Sequence, residues 1–303
     1  MRKIIVLIAF FISTNSFACD ICGCANSGSF FGILPQGHQQ FMGIKLRQNS
    51  YDSHIGSQLL KSNETFQTAE LWGRFYPLKK IQIMVFVPLQ KNVQTRSTDN
   101  FKSELSGLGD ASLLIHFNVL NTFVDTTRMH SKWNHQLMLG GGIKVPTGAS
   151  DFNQYDVSEV ANINFQLGTG SFDVPLNAIY TINKHEFGVN LNVLYKLNSA
   201  NNSDYKFANQ TVVSLMAFRS IYIGNSQLMP SAGLYADLKK QDLINGIRNV
   251  FTGGYSTAAL VGLDLYAGKY GFNTSARIPL IQNLSNGELK INSTLSLGLS
   301  RIL

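Results

Sequence analysis

Along most of the chain, apolar and polar residues alternate with a period of two. Between Ile81 and Leu89 every second residue is aliphatic, and similar alternation runs from Phe187 to Lys196 and from Leu289 to Ser300. Side chains on a β-strand point alternately to opposite faces, so each segment predicts a strand with one apolar and one mostly polar face. No long segment has the 3.6-residue period of an amphipathic helix. The pattern predicts an all-β protein.

Twelve segments of this kind can be counted. The number is even, and each segment has about the length that a tilted strand needs to cross a bilayer. The predicted strands are residues 40–48, 66–76, 81–90, 108–119, 134–146, 171–182, 186–197, 207–219, 227–237, 254–266, 271–281 and 289–301.

The lengths of the links between these segments also follow a pattern. Short links such as 77–80 and 267–270 alternate with longer polar links such as 49–65 and 238–253. An outer-membrane barrel has tight turns at one end and longer loops at the other, which explains this alternation. The link 120–133 is the exception, because it is long where a short turn is expected. A soluble β-sandwich also has alternating strands, but it gives no reason for alternating link lengths.

Composition supports a surface that faces lipid. Only 14% of the 303 residues are charged, whereas 44% are hydrophobic, and typical soluble domains have about 25% charged residues. A barrel in contact with lipid needs no charged exterior. The sequence therefore predicts a twelve-stranded antiparallel transmembrane β-barrel of the bacterial outer membrane, with membrane lipid as its partner.

The first eighteen residues have the pattern of a secretory signal peptide. Arg2 and Lys3 precede the apolar run Ile4–Ile12, and Ser16 and Ala18 place small residues where a signal peptidase would read them. The apolar run is too short to cross a bilayer as a helix. The predicted division of the chain is a signal peptide over 1–18, a periplasmic segment over 19–39 and the barrel over 40–303.

The predicted periplasmic segment carries all three cysteines: Cys19, Cys22 and Cys24. Three interpretations remain open. Cys19 and Cys22 could form a disulfide. Three thiolates could instead bind Cu(I) or Zn²⁺, with His38 as a possible fourth ligand. Finally, Cys19 could carry a lipid, although the residue three positions before it is Ser16 rather than the expected Leu.

Charged residues within the predicted strands fall almost entirely on the less apolar face. A Lys or Arg that faces lipid at mid-depth costs about 2–4 kcal/mol, so these residues are expected to face the barrel interior. There they would line a path for a small-molecule solute, or would neutralise one another in a closed bore. Besides Lys45 and Arg47, the predicted lumen residues are Glu70, Arg74, Asp110, His116, Lys144, Lys196, Asp264, Arg277 and Lys290.

Three glycine-containing motifs appear in order along the chain: Gly107–Asp110, Gly142–Gly148 and Gln166–Asp173. As an ordered set they resemble the outer-membrane transporters grouped around phenol meta-cleavage pathway proteins, over roughly residues 40–303. The resemblance implies an outer-membrane barrel with a part in the uptake of small, often aromatic or hydrophobic, compounds. It supplies no catalytic residue.

Two features differ from that family's usual pattern. Barrels of this kind usually finish on an aromatic residue that the barrel assembly machinery reads, whereas this chain finishes Arg301-Ile302-Leu303. The cysteine cluster is similar to a leader on related barrels from Bacteroidetes-type bacteria.

Other function classes have little support in the sequence. There is no Lys/Arg block with interleaved aromatic residues, so the sequence gives no support for nucleic-acid binding. Neither G-x-S-x-G nor H-E-x-x-H occurs, and no enzyme is predicted. The favoured interpretation is a passive or gated channel for small molecules. The alternative is a closed structural or metal-binding barrel that handles copper or zinc through its cysteines.

Overall fold

The computed structural model describes residues 39–122, 133–150 and 165–303. These residues form seventeen β-strands, most of which belong to one antiparallel sheet. The strands are β1 (Phe41–Ser53), β2 (Ser62–Leu78), β3 (Ile81–Arg96), β4 (Lys102–Leu108), β5 (Ala111–Asn121), β6 (Asn134–Val145), β7 (Asp173–Lys184), β8 (Phe187–Asn198), β9 (Tyr205–Lys206), β10 (Gln210–Arg219), β11 (Ile221–Ile223), β12 (Ser226–Lys239), β13 (Leu243–Ile244), β14 (Ile247–Arg248), β15 (Gly254–Ala267), β16 (Tyr270–Leu284) and β17 (Leu289–Ile302).

The large sheet closes on itself. Strand β1 pairs with β2 on one side and with β17 on the other, so that Phe41 lies opposite both Arg74 and Ile302. Strands β4 and β5 share one place in the ring, because both pair with β3. Strand β11 pairs only with the start of β12 as a hairpin extension. Twelve strand positions therefore circle the barrel, and the predicted all-β, twelve-stranded antiparallel barrel is confirmed.

Several strands extend beyond their predicted ends. Strand β2 begins at Ser62 and β3 continues to Arg96, whereas the sequence predicted strands over 66–76 and 81–90. Both faces of the added segments are largely polar, which is why they resemble loops in the sequence. The ladder continues because a strand that projects beyond the lipid can have water on its outer face and still pair with its neighbour.

Side chains that alternate in the sequence point alternately to the inside and the outside of the barrel. Along β5, Leu113, Ile115 and Phe117 are exposed on the outer surface, while Leu114 and His116 between them are buried in the interior. An apolar exterior of this kind needs lipid rather than water around it. Among the described residues, no helix is both long enough and apolar enough to span a membrane.

The two ends of the barrel differ. At one end, here called the turn end, lie both termini of the barrel and the tight links Lys79–Lys80, His185–Glu186 and Gly268–Lys269. Gly268 has φ +57°, a left-handed conformation that glycine adopts without strain. The opposite end, called the loop end, carries the longer connections, including a small sheet of β9, β13 and β14. Most of the unusually long turn-end link predicted at 120–133 lies outside the described residues.

Candidate functional site in the barrel interior

Five ionisable residues project into the barrel from neighbouring strands. This set, called the central charges, consists of Lys45, Arg47, Glu70, Asp264 and Arg277. Lys45 lies directly opposite Glu70 in the β1–β2 ladder, and the charges of Arg47, Arg277 and Asp264 also act on it. The set contains three cations and two carboxylates, and a further carboxylate, Asp237, acts on the same tyrosines, Tyr51 and Tyr235, as Arg47 and Arg277 do.

A small cavity adjoins the central charges. Its volume is about 10 Å³, and its lining includes Lys45, Arg47 and Arg277 together with the hydroxyls of Ser275, Thr294 and Ser296. A cavity of this size holds about one water molecule. The space is polar, but a solute larger than water would need the surrounding side chains to move.

Two clusters of apolar side chains cover parts of the inner wall. Phe41, Trp72, Met84, Phe86 and Leu114 form one buried cluster on the wall made by β1, β2, β3 and β5. A second buried cluster covers the wall made by β8, β10, β12 and β15; its members are Leu194, Val212, Met216, Phe218, Met229, Tyr235, Ala258 and Leu260. Among the described residues, packed apolar side chains thus cover these two parts of the inner wall.

A chain of polar side chains crosses this interior. His116 Nε2 lies 2.7 Å from Asn177 Oδ1, and Asn177 Nδ2 donates to Asn192 Oδ1 at 2.7 Å. On the other side of the histidine, Gln82 Nε2 lies 3.4 Å from His116 Nδ1 and accepts, through Oε1, the Tyr76 hydroxyl at 2.6 Å. A neutral His116 protonated at Nε2 satisfies both of its contacts. The sequence analysis singled out only His116, although Gln82 and both asparagines occupy inward positions of alternating strands.

At the loop end, three charged residues form a compact network that we call the loop-end triad: Asp110, Lys144 and Asp173. Lys144 Nζ lies 2.9 Å from Asp110 Oδ2 and 2.5 Å from Asp173 Oδ2. The side chains of Lys144, Asp110 and Asp173 are only 6%, 3% and 1% exposed. The ammonium therefore sits between two buried carboxylates.

Groups in the loops also form hydrogen bonds with the side chains of the loop-end triad. Asp110 accepts hydrogen bonds from the backbone N–H groups of Gly148 (3.1 Å) and Thr169 (2.9 Å). Asp173 accepts from the Ser171 hydroxyl at 3.0 Å, and Lys144 also contacts the Thr169 hydroxyl. Hydrogen bonds to a charged group are stronger than those between neutral groups. The network therefore fastens the connections around β5, β6 and β7.

The three sequence motifs meet at this network. Gly148 and Gly168 pack backbone against backbone, since a Cβ added to Gly148 would lie 2.8 Å from Gly168 Cα. A Cβ on Gly168 would lie 2.5 Å from Asp110 Oδ1. Two of the motif glycines are thus required by close approach, which brings the Asp110 carboxylate within reach of both loops.

Two other predicted lumen residues, Arg74 and Lys196, lie in different parts of the barrel. Arg74 is buried at the turn end, where its guanidinium lies 4.6 Å from the centre of the Phe41 ring and donates to the Gln39 carbonyl at 3.0 Å. Lys196 is partly buried on the inward face of β8. It lies opposite Gln210, away from the central charges.

Lys290 departs from its predicted inward position. Its side chain is exposed, while the neighbouring Leu289 is buried in an interior cluster with Tyr51 and Phe66. The β1–β17 ladder has a register shift between Ser50 and Tyr51. A bulge inserts a residue and reverses the alternation beyond it, so counting by twos from the end of β17 assigned Lys290 to the wrong face.

The predicted metal ligands Cys19, Cys22 and Cys24 lie outside the described residues, as does His38. Within residues 39–122, 133–150 and 165–303, no group of three or more His, Cys, Asp or Glu side chains is arranged to hold a metal ion. The copper or zinc hypothesis therefore stays a prediction from the sequence.

Comparisons with known proteins bear on the fold. No protein-family model matches the sequence, and no curated protein matches it. Among solved structures, the barrel is similar to the COG4313 outer membrane channel from Pseudomonas putida F1, with a TM-score of 0.64 at 16% identity over 91% of this chain and 99% of that one. The fold is therefore that of an outer-membrane β-barrel. Together with the apolar exterior, it is consistent with the bacterial outer membrane.

Autotransporter barrels are less similar. The beta domain of the Bordetella autotransporter BrkA matches with a TM-score of 0.48 at 11% identity, over 86% of this chain and 99% of that one. The transport unit of the autotransporter AIDA-I from Escherichia coli gives 0.49 at 10% identity, over 92% and 95% of the two chains. These scores are too low to support an inference beyond a shared barrel architecture.

Proposed function

We propose that this protein is a gated outer-membrane channel for small molecules, and that the described conformation is its closed state. In this proposal, residues 1–18 direct export, residues 19–39 remain in the periplasm and the barrel assembly machinery inserts residues 40–303. The turn end then faces the periplasm and the loop end faces outward, as in other outer-membrane barrels. The solute is a small molecule that passes between the central charges.

The observation that carries this proposal is the cluster of ionisable side chains in the barrel interior, the central charges, beside a polar cavity. Buried charges are costly unless they are paired and hydrogen-bonded. A barrel that served only as a scaffold would be expected to have an interior of packed apolar side chains, as the two apolar clusters show elsewhere in this protein. Three cationic side chains around a polar cavity are instead suited to a passage that a charged or polar solute enters.

Buried polar atoms near the interior clusters support a path for polar solutes. In the described part of the chain, the Trp72 Nε1 donor, the Tyr235 hydroxyl and the Asn118 Oδ1 acceptor are buried without a protein hydrogen-bond partner. Most buried polar groups in proteins have a partner, which is often ordered water. These three atoms offer contacts to water or solute along the interior.

Conductance of the purified full-length protein in planar lipid bilayers tests the proposal. We expect small, discrete current steps from the unmodified protein. The double variant Trp72→Ala/Met84→Ala removes two interior side chains from one cluster and should increase the conductance or the fraction of time open.

The matched control uses the same two strands and the opposite face. Leu71 and Val85 are neighbours of Trp72 and Met84 in sequence but point outward. Leu71→Ala/Val85→Ala should therefore leave the current unchanged. If the unmodified protein and the interior variant were both silent although correctly folded in the bilayer, the channel proposal would be wrong.

The packed interior also favours a second candidate, a closed barrel whose working part is the segment with Cys19, Cys22 and Cys24. In that case the segment would bind Cu(I) or Zn²⁺ and the barrel would anchor it. Metal stoichiometry distinguishes this candidate, because replacing all three cysteines with Ser should abolish binding of about one metal ion per chain. Unchanged stoichiometry in the triple variant would remove the metal hypothesis.

A further inference from the structure

A cleft at the loop end is much larger than the cavity in the barrel interior. It lies where the small sheet of β9, β13 and β14 meets the loop-end termini of β10 and β12, and its volume is about 550 Å³. Clefts that bind small organic molecules commonly measure 300–1,000 Å³. The described residues that line it are Lys206, Phe207, Ala208, Asn209, Lys239, Lys240, Gln241, Leu243 and Arg248.

The lining is strongly basic. Lys206, Lys239, Lys240 and Arg248 contribute four cationic side chains, and the described lining residues include no Asp or Glu. Lys240 and Arg248 are exposed, so their charges are accessible from solution. Several cations around one concave surface raise the local concentration of anions and favour their binding.

The carboxylate of Asp242, which lies between two cleft residues in the sequence, is not among the groups that line the cleft. Asp242 is buried, and its two oxygens accept hydrogen bonds from the Tyr205 hydroxyl at 2.6 Å and from the Ala208 N–H at 2.7 Å. Its own N–H donates to the Thr252 hydroxyl at 2.8 Å. Asp242 thus fastens the loops beneath the cleft, and its oxygens are occupied by these donors.

The floor of the cleft is apolar and fixed. Phe207 and Ala208 are buried, and Leu243 contributes a further aliphatic side chain. The Phe207 ring packs edge-on against Tyr205, with 4.9 Å between the ring centres. A rigid apolar floor beneath a basic rim matches a ligand with one apolar part and one anionic part, because binding does not have to order the site first.

We propose that this cleft binds small organic anions: molecules in which a carboxylate, sulfonate or phosphate is attached to an apolar group. The anionic group lies against Lys206, Lys240 and Arg248, and the apolar group packs on Phe207 and Leu243. The inference does not rest on conduction, because a cleft outside the packed interior can bind a ligand whether or not the barrel opens.

Isothermal titration calorimetry on the full-length protein in a non-ionic detergent tests this proposal, with benzoate as the probe and benzamide as its neutral counterpart. We expect saturable binding of benzoate that weakens as salt is added, and at least about tenfold weaker binding of benzamide, since a charge-assisted contact is lost. Equal affinity for the two probes, or no saturable binding of benzoate, would overturn the proposal.

Variants locate the site. Lys206→Gln/Arg248→Gln should weaken benzoate binding by about tenfold, and the single charge reversal Arg248→Glu, at an exposed position, should weaken it in the same direction. The matched control is Lys91→Gln/Lys102→Gln, which removes two other exposed loop-end lysines that pair with Glu104. If the control weakened binding as much as the cleft variant, the assignment of the site would be wrong.

An anionic lipid headgroup presents the same chemistry as the proposed ligand, and a competition arm separates the two. The titration is repeated with phosphatidylglycerol added to the micelles in equimolar amount to the protein. Retained benzoate affinity supports a site for dissolved organic anions. Complete displacement at that ratio, lost in Lys206→Gln/Arg248→Gln, would assign the cleft to lipid phosphate and overturn the proposal as stated.

Discussion

The loop-end triad and the central charges are both buried inside the same barrel, but their surroundings differ. In the loop-end triad one ammonium lies within 2.9 Å of two carboxylates, and loop N–H and O–H groups donate to the carboxylate oxygens. The central charges extend over four strands, and three of them, all cations, border a polar cavity. One set lies among loop groups that hydrogen-bond to it, whereas the other lies beside a cavity in the barrel interior.

This difference separates charge that holds the fold from charge that can act on a solute. A buried charge with excellent geometry and complete hydrogen bonding fixes the elements that contribute to it. A group of like charges beside a cavity raises the electrostatic potential there, which attracts ions of the opposite sign. Substitutions should therefore change stability at the first set and permeation at the second.

The largest effect is expected for Lys144→Met. This change leaves Asp110 and Asp173 buried close together without a counter-charge, and removal of one partner from a buried ion pair costs about 3–5 kcal/mol. We expect the free energy of unfolding, measured by denaturant titration in detergent micelles, to fall by about that amount.

An exposed ion pair provides the control for Lys144→Met. The Lys91–Glu104 pair has a comparable separation of 2.7 Å, but its side chains are 50% and 39% exposed. Exposed pairs contribute about 0–1 kcal/mol, so Lys91→Met should change stability by no more than this. If Lys144→Met lowered the free energy of unfolding by as little, the loop-end triad would not be a major contributor to the stability of the fold.

A smaller but more specific effect is expected when the central charges are neutralised. Arg47→Gln/Arg277→Gln removes two of the three cations and leaves Glu70 and Asp264, so the interior potential should become negative. The ratio of chloride to potassium permeability, obtained from the reversal potential across a salt gradient, should fall by about twofold to threefold or more.

A substitution in the loop-end triad provides the control for this permeation test. Asp173→Asn leaves the buried Lys144–Asp110 ion pair, whose carboxylate also accepts hydrogen bonds from loop N–H groups, so any protein that still folds should keep the permeability ratio of the unmodified barrel. If Asp173→Asn changed the ratio as much as Arg47→Gln/Arg277→Gln, charge at the two positions would be equally exposed to permeating ions. The contrast between the two sets would then fail.

The sequence predicts the barrel more completely than it predicts the site, for a physical reason. Lipid requires every outward position to be apolar, so a period of two in strands such as β5 follows directly from the solvent. The same rule failed for Lys290, because the bulge in the β1–β17 ladder has no signature in the residue types. Where the solvent no longer constrains one face, as in the loop-end extensions of β2 and β3, the strand ends were also missed.

The partners of the site residues depend on contacts distant in sequence. The motifs indicated turns, but the ammonium of Lys144 reaches carboxylates 34 residues before it and 29 residues after it, and no local pattern specifies that meeting. The small sheet of β9, β13 and β14 consists of two-residue strands, which are too short for periodicity to show. The basic cleft beside it was therefore not foreseen, although each of its lysines is visible in the sequence.

A third buried charge, Asp242, gives the smallest and most local test of the comparison. It resembles the loop-end triad in its hydrogen bonds, from Tyr205 and Ala208, but burial outweighs these donors and the charge of Lys239, and raises the pKa of the Asp242 carboxyl above its ordinary value. A raised pKa means that the folded loop binds the proton more tightly than the unfolded loop. Stability of the loop should therefore fall as the pH rises from the ordinary pKa near 4 through the raised pKa, and should recover on acidification.

Amide hydrogen exchange at Ala208, corrected for the intrinsic dependence of exchange on pH, measures this effect. Between pH 4 and pH 8 the protection factor of Ala208 in the unmodified protein should decrease by a few-fold, whereas Asp242→Asn should show a flat profile because the substituted amide does not titrate. The same slope in Asp242→Asn would mean that another group causes the pH dependence. A profile with the opposite slope would mean that the folded loop favours the ionised form of Asp242, so that hydrogen bonding alone, without an adjacent ammonium, is enough to hold a buried carboxylate in this barrel.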